Sequence, residues 1–154
     1  MSYALFKFLH LLGTVLLVGN VTATAVWKVF ADRTRQAPTV AFAQRLVTYT
    51  DGSLTGGGIV LMIVGGYGLV VVPGMSLTAM PWLLWGQVLF VVSGAIWLFM
   101  LVPNQSAQSR MTASFAEGGA IPEAYWRLSR HWIVWGIVAT VPMLAALYLM
   151  VMMH

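Results

Sequence analysis

The chain has 154 residues, 60% of them hydrophobic and only 8% charged. A water-soluble domain of this size carries roughly 25% charged residues, so burial in a soluble core does not account for the balance. The net charge of +4 is small and clustered, a topology signal rather than a nucleic-acid patch, and the absence of cysteine excludes disulfides, thiolate metal sites and a cysteine nucleophile.

Four apolar stretches, at about residues 3–30, 54–72, 81–102 and 132–153, have the length a bilayer demands of a spanning helix. The first, Tyr3 to Phe30, is the only one with ionisable side chains well inside it, Lys7 and His10. Lys7 and Ala23-Thr24-Ala25 together imitate a secretory signal. The stretch is apolar before Lys7 and again beyond Ala25, so a retained helix is expected. At 100° per residue, His10, Gly13, Thr14, Leu17, Asn20, Val21, Thr24 and Lys28 share one stripe, which should face partner helices. Leu12, Val15, Val18 and Val26 lie opposite and suit lipid.

Pro38 to Asp51 reads as a short interfacial helix, with Thr50-Asp51-Gly52-Ser53 as the join to span two. Span two carries Gly56, Gly57, Gly58, Gly65, Gly66 and Gly68, a composition that lets backbones approach closely in lipid. The short uncharged turn from Gly74 to Met80 makes spans two and three antiparallel neighbours. Pro103 is expected to break span three before a surface helix from Asn104 to Glu117. Pro122 restarts a helix that runs through Trp126, Arg127, Arg130 and His131 into span four. The expected fold is all-α: a single polytopic membrane domain over residues 1–154, an antiparallel four-helix transmembrane bundle with short cytoplasmic interfacial helices.

Seven of the eight basic residues, all but Lys7, fall at one end of this bundle. That end should be cytoplasmic and both termini should face the periplasm. Aligning the spans by depth puts His10, Tyr67, Gln87 and Tyr148, one from each span, in a common layer near the other end. A neutral imidazole in such a bundle suits haem iron, which makes these four the candidate cofactor-binding residues and His10 the candidate metal ligand. Ordinary interhelical hydrogen bonding is the competing reading. His131 lies about a membrane thickness from His10, too far to be a second ligand on one iron, and is expected to anchor at the interface. Met75, Met80, Met150, Met152, Met153 and His154 are soft donors that would suit Cu(I). Asp51 is expected to pair with a nearby base among Lys28, Arg127 and Arg130, a cluster that also suits anionic lipid.

The chain resembles a bacterial family of four-helix integral membrane proteins known only as a domain of unknown function. The resemblance rests on Lys7-Phe8-Leu9-His10-Leu11-Leu12-Gly13 with Gly19, Thr50-Asp51, Gly65-Gly66, Trp97, Val102-Pro103, Gln105, and Trp126-Arg127-Leu128-Ser129-Arg130 with Trp132. The opening Lys-x-x-His is also similar to that of membrane-bound protoporphyrinogen IX oxidases (HemJ-type), and more distantly to CopD-type copper proteins. The oxidase likeness implies haem b on His10, the one residue here that matches that family's helix-one histidine. Two functions are therefore expected. One is a haem b-binding or porphyrin-related redox protein in the bacterial inner membrane, with a quinone or another membrane redox partner. The other is a non-enzymatic component, either copper-handling or a scaffold; the glycines of span two leave a homodimer open.

Overall fold

A computed structural model describes residues 2–78 and 80–152. Within them helix α1 covers Tyr3–Thr34, α2 Ala37–Thr50, α3 Gly56–Val71, α4 Pro81–Ile96, α5 Val102–Met111 and α6 Glu123–Met152. A π-helical turn, Asp51–Thr55, joins α2 to α3, and another, Trp97–Leu101, joins α4 to α5. Four continuous helical rods of 32, 35, 34 and 30 residues result, each long and apolar enough to cross a membrane.

This continuity is the main departure from the sequence expectation. The segment before span two is not a separate interfacial helix but the first half of a 35-residue rod. Gly52 and Ser53 do not interrupt it, because the i→i+5 turn absorbs one extra residue without ending the helix. Nor does Pro103 break span three. It sits in the first turn after the Trp97–Leu101 π-turn, where the widened ladder makes room for its ring. The continuation α5 is not a surface helix either: Asn104, Gln105 and Gln108 are buried.

The stripe expected on helix one is the buried face of α1: Gly13, Leu17, Asn20, Thr24, Lys28 and Ala31. Its opposite face is open, with Val15 and Val26 exposed. Helix α1 packs along α3, and α4 along α6. Glycine makes the first of these contacts so close. A Cβ on Gly13 would stand 2.6 Å from the Met62 nitrogen and 2.7 Å from the Gly58 carbonyl oxygen, so only hydrogen fits there.

Among the described residues the two helix pairs pack on one another at one end, and the short turn between α3 and α4 links them at the other. At the basic end α2 packs on both α1 and α5, and α5 packs on α6. Val40, Ala41, Phe115 and Tyr125 form a closed apolar core there. Along the spans, among the described residues, α1 and α3 do not approach α4 and α6 as helix packs on helix. The turn from Pro73 to Met80, at the far end, contains no charged residue.

Candidate functional site

Three polar groups occupy the region where the pairs meet. The first surrounds Asp51, 5% exposed, at the start of the α2–α3 π-turn. The Asn20 amide donates to its Oδ1 at 2.7 Å and to the Thr55 hydroxyl at 2.9 Å. Thr55 also donates to Oδ1, at 3.3 Å, while the Gln105 amide from α5 donates to Oδ2. All three donors are neutral, so the base expected to pair with Asp51 is not there. The π-turn explains the burial: it keeps Asp51 and Thr55 both facing α1 while the exposed Gly52 and Ser53 bulge outward. Asn20 Oδ1 is itself buried without a partner.

Lys28 is the base of the second group, completely buried. Its ammonium donates to Asp32 Oδ2 at 3.2 Å and to the Tyr125 hydroxyl at 3.0 Å. It also lies 5.1 Å from the Tyr125 ring centre and 5.7 Å from that of Trp132. Ser129 donates to Asp32 as well, and Tyr125 reaches Asp32 and Gln44, each at 3.4 Å. An ion pair alone would be a poor use of a buried lysine; the hydroxyls and ring faces around it offset the desolvation. This group ties α1 and α2 to α6.

The third group is Asn104, Gln108, His131 and Trp135. The Trp135 indole donates to His131 Nε2 at 2.8 Å. The Asn104 amide nitrogen lies 3.1 Å from His131 Nδ1, while the Asn104 carbonyl oxygen accepts from the Gln108 amide at 2.6 Å. His131 is thus held by Asn104 and Trp135 at the head of span four.

Beside Asp51, between the two pairs, is a cavity of about 450 Å³. Leu17, Asp51 and Thr55 line it from one pair, Phe90, Trp97 and Trp132 from the other. The walls are otherwise almost wholly apolar, and the indole N–H groups of Trp97 and Trp132 are buried without an acceptor.

The profile of a family described as predicted integral membrane protein (DUF2269) matches residues 4–154. The chain belongs to this family. No curated protein and no solved structure matches it. Membership in DUF2269 agrees with the four-helix, unknown-function resemblance carried by Lys7–Gly13 and Trp126–Trp132; it does not extend to the oxidase or copper proteins.

Each of the four residues proposed from depth has its own surroundings in this DUF2269 structure. His10 faces α3, its Nδ1 3.1 Å from the Met62 carbonyl oxygen and its ring against Gly66. Tyr67 on α3 is 48% exposed and Tyr148 on α6 is 61% exposed. Gln87 turns back on its own helix and the preceding turn, donating to Leu83 at 3.0 Å and Leu77 at 2.9 Å. Among the described residues no hydrogen bond joins any two of the four. The Asp51 group is a polar cluster that the depth alignment does not bring together. Asn20 on the buried stripe, and Asp51 and Gln105 within the resemblance, were its separate signals, but nothing in their spacing connects α1, the π-turn and α5.

Proposed function

We propose that this protein is a membrane-embedded binding protein that takes a bilayer-soluble molecule sideways into the cavity between its two helix pairs. One observation carries the reading: an apolar cavity of about 450 Å³, within the range of small-molecule sites, whose wall contains Asp51 with no cation in ion-pair reach among the described residues. An ionisable residue at membrane depth tends to mark function. Gly136 gives the test, because it lines the cavity and an added Cβ there meets nothing within 4 Å. Protein purified in mild detergent should release a lipophilic molecule on organic extraction at about one per chain, as mass spectrometry reads it. Gly136→Phe should keep the thermal stability and lose that molecule. Equal recovery from both proteins would overturn the reading.

Haem b on His10 is a second reading, favoured by one contact. The Met62 carbonyl engages Nδ1, which fixes that nitrogen as the N–H donor and leaves Nε2 as the lone-pair nitrogen, the arrangement of a metal-ligating histidine. The residues fit a proximal ligand, and bound haem would supply one-electron transfer with a membrane quinone or redox protein. A Soret band after expression with haem supply, absent in His10→Ala, is the expected result; a band that survives the substitution removes His10 as ligand. The copper alternative has less to draw on. Met80 sulfur accepts the Trp82 indole N–H at 3.2 Å, Met150 packs against Gly86, and Met153 and His154 lie outside the described residues.

The basic end is the cytoplasmic one on the positive-inside rule, with both termini on the opposite side; the membrane we assign is the bacterial inner one. The cysteine-free chain makes the check direct. A membrane-impermeant thiol reagent should label Ser76→Cys in intact spheroplasts and Glu117→Cys only after permeabilisation.

A further inference from the structure

We infer that the molecule received by the cavity is a lipophilic cation, an ammonium group on an apolar body, with its positive charge set against Asp51. This rests on the binding function proposed above and names the chemistry of that same site.

Charge is the first argument. Asp51 is 5% exposed and stands in the cavity wall, and among the described residues no lysine or arginine pairs with it. Its hydrogen bonds come from Asn20, Thr55 and Gln105, all neutral donors. They orient the carboxyl and offset part of its desolvation, but they bring no positive charge. A carboxylate offers about four acceptor positions. Three are filled by these donors, two on Oδ1 and one on Oδ2. Lys28, 5.7 Å from the Trp132 ring centre, is already matched by Asp32. The protein thus leaves one negative charge in an apolar wall without its complement, and a cationic ligand supplies it.

The remaining wall decides which kind of cation. The lining hydroxyls of Thr22, Thr24, Ser93 and Thr140 donate to backbone carbonyls at 2.7–2.8 Å. Among the described residues no group of three or more acidic or imidazole side chains gathers at one place. An inorganic ion needs several oxygen ligands to replace its water, and this wall does not assemble them. An alkylammonium carries its own hydrocarbon and loses less on leaving water. Phe90 and Trp97, both partly exposed, line the same cavity, and aromatic rings attract ammonium ions. Carboxylates and phosphodiesters would meet Asp51 as like charges in a low-dielectric site. On α1 the lining runs from Leu17 to Val29 and on α6 from Trp132 to Leu144, which gives an apolar tail a wall of several turns to lie along.

The test uses the full-length protein in phosphatidylcholine nanodiscs and two radiolabelled probes. Decyltrimethylammonium carries the charge; 2,2-dimethyldodecane has the same shape with carbon in place of nitrogen. Equilibrium binding is measured for each and corrected with empty nanodiscs. The cation should bind the wild type at least tenfold more tightly than its neutral counterpart. Asp51→Asn should weaken the cation at least tenfold and leave the hydrocarbon unchanged. Phe90→Leu should weaken the cation about threefold, again without effect on the hydrocarbon. Gly136→Phe should exclude both. Thermal stability in the same nanodiscs shows which variants keep the fold; if Asp51→Asn melts, the probe comparison on the wild type and Phe90→Leu decide. Equal binding of the two probes to the wild type overturns the cation assignment and leaves the cavity reading standing. Cation binding that survives Gly136→Phe, or no binding of either probe to the wild type, overturns both.

Discussion

Single atoms decide how closely α1 and α3 pack. Gly13 and Gly58 meet across that contact, and a Cβ on Gly58 would lie 2.9 Å from the Gly13 carbonyl oxygen and 3.0 Å from the Leu17 nitrogen. Backbone, not a flexible side chain, stands in the way, so the helices themselves must move. Gly13→Ala and Gly58→Ala should each destabilise the protein by about 1–3 kcal/mol, the usual penalty of overpacking, as detergent-titration unfolding would measure it. Gly19→Ala and Gly57→Ala are the matched controls, because nothing lies within 4 Å of a Cβ at either site; their unfolding midpoints should stay at the wild-type value. A span two rich in glycine told that some close packing was present. Which glycines make it was legible only for Gly13, which the stripe on helix one places on the buried face.

The π-turns are what the element scale adds. In a helical rod, one inserted residue rotates everything beyond it by about 100° relative to everything before. The Asp51–Thr55 turn is such an insertion. Val40 on α2 then faces the closed core and Val47, also fully buried, packs with Leu101 and Trp132, while Gly58 and Gly65 on α3 face α1. Deleting Gly52, which is exposed and touches nothing within 4 Å, restores a regular α-helix and puts one of the two faces out of register. The expected outcome is unchanged helical content by far-ultraviolet circular dichroism, a lowered melting temperature and loss of the cavity ligand. A deletion variant as stable as wild type would show that the rod does not need the insertion. Here the sequence misled for a physical reason. Gly-Ser beside a run of glycines is a helix stop in water, but in a bilayer an unpaired backbone is so unfavourable that the rod continues through it. Pro103 was misread in the same way.

The whole molecule is two antiparallel helix pairs gripped at one end. That grip is the group around Lys28, which joins α1 to α6 through Tyr125 and Ser129. Tyr125→Phe keeps the ring in the apolar core with Phe115, 5.3 Å away centre to centre, and removes only the hydroxyl. Lys28 then loses one of its two acceptors and Gln44 loses its donor. The expected cost is about 1–3 kcal/mol, with faster amide exchange in α2 and the start of α6 than in α3 and α4. Exchange that rises equally everywhere would mean the two pairs do not part at this end first. Four spans, their antiparallel order and the sidedness of the charges were all legible from composition and spacing. The pairing of α1 with α3 and of α4 with α6, and the space left between, were not. They depend on which faces meet, and every span is apolar on several sides.

The uneven distribution of charge has a consequence for how the protein meets bilayers of different thickness. All four acidic residues and seven of the eight basic ones sit toward the gripped end, so that end is pinned to its water–lipid boundary. The far turn carries no charge, and Lys7 alone, exposed on α1, holds the opposite boundary. Rods of 30 to 35 residues are about 45–52 Å long at 1.5 Å per residue, well beyond an apolar thickness of about 30 Å. A thinner or thicker bilayer is therefore accommodated by tilt of the rods about the packed end, with the short turn between α3 and α4 limiting how far the pairs part at the other. Under the binding function proposed above, bilayer thickness then bears on how readily a lipid-soluble molecule enters between the pairs.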